Sequence, residues 1–185
     1  MNINKYTECL NDLMDYFILA DVQRLSQFSS ENALSDDLMT EFTTNDSGEK
    51  AVESGVIIPM RGIENYPYTV YFNESSDSVF SAQNSDLQHR KAGYLIEVKS
   101  SRLHLLTMPL LRAWSKSVGF IESGTPGKPF FDLENGWYAV EILCGETPQE
   151  SGWEPTIEFL FEPRETKPVY GANVDYSFHI SAREY

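Results

Sequence analysis

The stretch KPFFDLENGWYAVEILCG, residues 128–145, constrains the fold more than any other part of the chain. Two apolar runs flank Asn135-Gly136, a pair able to supply the positive-φ residues of a tight hairpin turn. Downstream, Tyr138, Val140 and Ile142 alternate with Ala139, Glu141 and Leu143, the two-residue period of a half-buried strand. Upstream, Phe130, Phe131 and Leu133 give an incoming strand that carries two large rings. The expectation is a hairpin at the centre of a β-sheet core, with no reactive constellation inside it.

Further strands are expected on both sides. Val56-Ile57-Ile58 is a β-branched run stopped by Pro59, and Tyr68 to Phe72 is a second β-rich run. GYLIEVK (93–99) and RLHLLTMP (102–109) alternate, as does TIEFLFEP (156–163), where Pro163 ends the run. VDYSFHI (174–180) reads as a closing strand with Val174, Tyr176, Phe178 and Ile180 on its apolar face. The fold class predicted is mainly β within α+β: an antiparallel β-sandwich of roughly eight strands preceded by an amphipathic helical segment.

That helical segment is inferred from Tyr6, Leu10, Leu13, Met14, Phe17, Ile18 and Leu25, which recur at three- and four-residue steps over residues 3–28. A shorter helix is expected over 31–42, with Leu34, Leu38 and Phe42 in line, and 43–54 reads as a polar linker. The division expected is an acidic helical part with its linker over residues 1–54 and a β-sandwich domain over 55–185. Residues 1–55 hold eleven acids against Lys5, Arg24 and Lys50. A solvated helical face explains that imbalance, and so does an acidic arm that steers a basic protein.

The whole chain has 28 acidic and 14 basic residues in 185, a net charge of −14. Such a field repels phosphates and anionic membrane surfaces and speeds encounter with a basic partner, so direct nucleic-acid binding is disfavoured. Solubility alone is the competing explanation. Hydrophobic residues make up 41%, enough for a buried core. Cys9 and Cys144 are far apart and form neither a disulfide framework nor a metal motif. Charges interrupt every apolar run of MNINKYTECLNDLMDYF, so neither a signal peptide nor a membrane span is expected, and the cytoplasm is the expected compartment.

Nucleotide-binding, hydrolase and zincin motifs are absent, and no catalytic residue, metal site or cofactor is expected. His89, His104 and His179 are scattered, the last two on strand faces that read as wet surface. Cys144 ends a core strand and reads as a small buried hydrophobe. The more pointed feature is ETPQESGWEP (146–155), a presumed loop in which Glu146, Glu150 and Glu154 surround Trp153. An aromatic anchor ringed by acids suits a basic partner; Trp153 folded down over the sheet edge is the plainer alternative.

From Ser78 to Cys144 the sequence resembles the competence protein J family, small bacterial inhibitors of a DNA-entry nuclease. GYLIEVKS, LTMPLL, FIESG and FFDLENGWYAVEI carry the likeness, with Pro109, Phe131, Asp132, Leu133, Gly136 and Tyr138 at its matched positions. The acidic N-terminal segment, residues 110–117 and the region beyond Gly145 depart from the family. The resemblance implies a protein that blocks a nuclease by binding it, a role shared by the immunity proteins that bacteria raise against toxins.

The functional expectation is therefore a non-enzymatic immunity protein or nuclease inhibitor that neutralises a basic toxin, with a nuclease domain as the partner. The alternative is a small enzyme or ligand-binding sandwich whose pocket uses Trp137, Tyr138 and nearby carboxylates.

Overall fold

The computed structural model describes residues 3–9, 15–82, 84–123, 129–150 and 152–183. In chain order these form β1 (Ile3–Cys9), β2 (Asp15–Ala20), α1 (Val22–Glu31), α2 (Leu38–Thr44), α3 (Ser47–Glu53), β3 (Ile57–Ile63) and β4 (Tyr68–Asn73). Then come β5 (Asp86–Val98), β6 (Arg102–Thr107), α4 (Met108–Leu111), α5 (Trp114–Glu122), β7 (Phe130–Asp132), β8 (Gly136–Gln149) and β9 (Gly152–Arg164). The strands make a five-stranded sheet, β1-β4-β9-β8-β5, and a four-stranded sheet, β3-β2-β6-β7. The mainly β, α+β class expected from the alternating strands is the class found.

Two cores hold three layers together. Between the sheets, Phe72 of β4 stacks on Phe131 of β7 at 5.4 Å and on Phe159 of β9 at 5.7 Å, while Phe131 meets Phe161 at 5.4 Å. Against the outer face of the four-stranded sheet, Leu25, Phe28, Leu38, Phe42 and Trp114 of the helices bury Ile18, Ala20, Ile57 and Leu106. Each fully buried side chain of this size contributes about 1.5–3 kcal/mol relative to exposure.

The helix expected over 3–28 is corrected by this arrangement: residues 3–9 and 15–20 of it are β1 and β2, and the first helix among the described residues starts at Val22. β2 is covered on both sides. Phe17 and Leu19 enter the inter-sheet core while Ile18 and Ala20 enter the helical one, and all four have no exposed surface. A strand buried on both faces shows no two-residue period, so its continuous apolar run merged with the helical spacing of its neighbours. Leu10, Leu13 and Met14 lie outside the described residues. The expected linker is also ordered, because α3 occupies most of it.

The expected central hairpin is corrected as well. β7 pairs with β6 in one sheet, whereas β8 pairs with β5 and β9 in the other, so residues 133–135 carry the chain across the sandwich. The long hairpin of the fold is β8–β9, in register from Trp137↔Arg164 to Gln149↔Gly152. Pro59 does not stop β3; it pairs with Ile18 on an edge strand, where its missing N–H is tolerated.

Residues 174–180 form no strand: a turn at 174–175 leads into irregular chain. One parallel bridge joins Ser177 to Arg61, and Phe178 donates its N–H to the Arg61 carbonyl at 2.8 Å. The alternation seen in the sequence is real nonetheless, because Phe178 and Ile180 are fully buried plugs at the open side of the sandwich, between β3 and β5. Gly93, with φ of 93°, accepts from Gly171 N at 3.1 Å, and a Cβ there would stand 2.7 Å from the Gly171 carbonyl carbon. No helix among the described residues is long and apolar enough to cross a membrane.

Candidate interaction surface

The acids of the N-terminal third divide into those the fold consumes and those it leaves outside. Asp21 has no exposed surface and accepts three backbone N–H groups, from Arg24 at 3.0 Å, Lys99 at 2.7 Å and Ser100 at 2.6 Å. It caps α1 and binds the end of β5 to it in one stroke. The neighbours Asp36 and Asp37 serve different helices: Asp36 takes the Ser115 N–H at the start of α5, and Asp37 takes that of Thr40 at the start of α2. Those bonds from Thr40 hold the Asp37 carboxyl below its usual range. The Ser35 N–H and the Asn45 amide do the same for Glu41.

Asp46, Glu49 and Asp175 line a groove of about 250 Å³ between α3, β3 and the C-terminal segment, with Tyr16 and Arg61 opposite. Arg61 is ion-paired with Asp175. Tyr170, beside this groove, has its phenol raised above the usual range by burial and then by the fields of Glu53, Glu49 and Asp175. Asp46, Glu49 and Asp175 line one groove, although Asp175 is far from the other two in sequence.

The four residues singled out from the sequence lie at the tip of the β8–β9 hairpin, and the fold divides them. Directly opposed residues share a face, so Pro148, Trp153 and Glu146 point one way, and Thr147 and Glu154 the other. Glu154 accepts the Thr69 hydroxyl at 2.7 Å on the outer face of the five-stranded sheet. Glu150 is exposed at the turn. Glu146 has no exposed surface at all, because Arg183 closes over it. The expected loop is thus ladder to its last pair, and Glu146 belongs to the interior. Arg183 lies 37 residues away along the chain, and nothing in the spacing announces their pairing.

A larger hollow of about 590 Å³ lies on the outer face of the same sheet, floored by Ala139, Glu141 and Leu160, with Glu74 and Ser75 on one wall. Two ion pairs line it, Arg90 with Glu141 at 2.8 Å and Arg164 with Glu162 at 2.5 Å. The wall is held by Glu158, fully buried, which accepts from Asn73 Nδ2 at 2.8 Å, Ser78 Oγ at 2.5 Å and Val79 N at 3.1 Å. Trp137 and Tyr138 do not share a pocket. As strand neighbours they face opposite ways, Tyr138 into the core with its hydroxyl donating to the Glu134 carbonyl at 2.9 Å.

His104 departs from the expected wet position. It faces the helical layer's side of β6, its Nδ1 is buried, and burial followed by the Arg102 charge pushes its pKa down to about 4. His179 is exposed and contacts Glu64 at 3.1 Å. His89 Nδ1 lies 2.8 Å from the Tyr176 hydroxyl and its Nε2 lies 2.6 Å from the His179 carbonyl oxygen. Cys144 is fully buried, and burial pushes its thiol well above the ordinary value. Among the described residues no group of three or more His, Cys, Asp or Glu could hold a metal ion.

No family model matches this sequence, and no curated protein matches it. Two solved structures are similar in fold. One is ComJ of Bacillus subtilis, described as an inhibitor of the DNA-degrading activity of NucA, at 13% identity and a TM-score of 0.44, covering 89% of this chain and 96% of that one. The other is described as crocagin biosynthetic gene J, also at 13% identity and a TM-score of 0.44, covering 85% and 94% respectively.

Proposed function

We propose that this chain is an immunity protein or nuclease inhibitor of the cytoplasm, which binds a basic toxin domain of nuclease type and occludes its active site without chemistry of its own. The observation that supports this reading is the disposition of charge. Arg24, Arg61, Arg90, Lys99, Arg102, Arg164 and Arg183 are spent in ion pairs within the chain. Asp46, Glu49 and Glu53 are exposed around α3, and the fields of Glu53 and Glu49 add to burial, the larger cause, in raising the Tyr170 phenol above its usual range.

A nuclease cleft is built to hold phosphates, so a protein surface carrying Asp46, Glu49 and Glu53 can occupy it by imitating a nucleic-acid backbone. The hairpin tip, with Glu150 at its turn and Glu154 on the outer face of the sheet, is the second acidic surface proposed for the same partner. Charge, not likeness of fold, supports the assignment.

The test is co-expression with basic nuclease domains, taken first from genes that neighbour this one, followed by assay of DNA cleavage and of association rate against salt. Stoichiometric loss of cleavage is expected, with an association rate that falls as salt rises. Absence of a complex at low salt would sink the proposal.

A further inference from the structure

Glu146 and Asp86 stand directly opposite one another in the β5–β8 ladder. Two like charges so placed repel, and Glu146 has in addition lost its water. It also continues the stripe of Tyr138, Val140, Ile142 and Cys144, where an apolar residue would be buried at no electrostatic cost. The position therefore demands a cation, and the chain supplies one. Arg183 donates its backbone N–H to Glu146 Oε1 at 3.0 Å and places Nε 3.2 Å from Oε2. Its terminal nitrogen lies 3.3 Å from Asp86 Oδ2, and its guanidinium carbon lies 4.0 Å over the Trp153 ring.

We propose that Glu146, Asp86 and Trp153 form a guanidinium-binding cradle, filled in this structure by the chain's own Arg183, and that an arginine side chain of a basic protein partner competes for it. The cradle rests on geometry; the identity of the competitor rests on the reading of this chain as a binder of a basic protein. A planar cation fits both features, one face on the indole and its edge toward the carboxylates, which an ammonium does less well.

Release of the occupant is a local event. Arg183 retains 48% of its side-chain exposure, so the guanidinium is reachable from solvent. The preceding anchor is Ser181, whose N–H donates to Gln88 Oε1 at 2.8 Å and whose carbonyl accepts Gln88 Nε2 at 3.1 Å. Arg183 can swing away beyond that anchor while Phe178 and Ile180 stay buried. The C-terminal segment then works as an internal competitor that sets a threshold for partner binding.

The probe is N-acetyl-arginine amide, titrated into the full chain while the Trp153 indole signal is followed by NMR. Arg183→Gln keeps the stem and the backbone N–H but empties the charge site; it should bind the probe saturably, at least about tenfold more tightly than the unaltered chain does. The matching lysine amide should bind at least about fivefold more weakly. Trp153→Phe, combined with Arg183→Gln and followed on the Gln88 amide, should weaken binding again. If Arg183→Gln does not fold, Arg183→Lys replaces it, with an intermediate gain expected. No saturable shift in the variant, equal binding by variant and unaltered chain, or equal binding of lysine and arginine amides each overturns the cradle. Since no partner protein enters the titration, the toxin-binding reading can fail without affecting this result.

Discussion

Ser101 donates its backbone N–H to Asn135 Oδ1 across 2.7 Å and so ties together two of the corners at which the chain changes sheets. One corner leads from β5 to β6 and the other from β7 to β8, and Leu133 N returns a bond to the Ser101 carbonyl at 3.1 Å. Ser101 reaches this position in the left-handed region, with φ of 59°. Asp21 holds the first corner from the other side through Lys99 and Ser100.

These two pins differ in burial, and their removal should differ accordingly. Asp21→Ala leaves three backbone donors unmatched at a fully buried position and should lower unfolding free energy by about 3 kcal/mol. Asn135→Ala removes bonds at an exposed corner and should cost about 1 kcal/mol. Urea denaturation measures both; equal losses would contradict the order argued here.

His104 gives the fold a pH dependence whose sign follows from burial. Its pKa is pushed from 6.5 in a free chain to about 4 in the folded one, so between those values the unfolded state binds the extra proton. Stability should therefore rise as pH goes from 4 to 6.5 and be lost as pH falls back through that window. The ring is partly exposed, so the contribution is about 2 kcal/mol rather than the full value of the shift. His104→Gln should flatten the unfolding curve over this window, and parallel curves for the two proteins would refute the assignment.

Glu158 should control the order of the segment that walls the outer hollow. Glu158→Ala removes the acceptor of Asn73, Ser78 and Val79 together, at a cost of about 3 kcal/mol, and should speed amide exchange and proteolysis within residues 74–82. Glu158→Gln keeps the shape and one acceptor oxygen, with a loss of about 1 kcal/mol. Unchanged exchange in the alanine variant would show that buried Phe80 and the Asn73 bonds to Ser75 and Asp77 suffice to hold the segment.

Much of this architecture was legible wherever one strand face is wet. β8 and β9 alternate because Glu141 and Glu162 sit on an outer face, and β6 alternates between its two cores. β2 was not legible, since helices cover the face that solvent covers elsewhere. The Asn135-Gly136 signal marked a sharp corner correctly but not the sheets on its two sides, because pairing partners are set by packing across the sandwich and not by the turn. The candidate surface was harder still. Nothing local to Glu146 shows that Arg183 will bury it, and the groove at α3 draws Asp175 from a segment 122 residues beyond Glu53.

Charge reversal at α3 separates the surface field from any partner and then tests the partner itself. Glu49 and Glu53 are exposed and lie on the solvent side of α3, whose buried contacts come from Gly48, Ala51 and Val52. Glu49→Lys with Glu53→Lys should leave the fold intact. Both acids raise the Tyr170 phenol pKa, so their reversal should move its midpoint down, as read by NMR of labelled tyrosine rings. In the presence of the basic nuclease domain the same double variant should associate at least about tenfold more slowly at low salt, and the difference should shrink as salt screens the field. A shifted Tyr170 midpoint with an unchanged association rate would move the interface to the hairpin tip, where Glu150 and Glu154 remain.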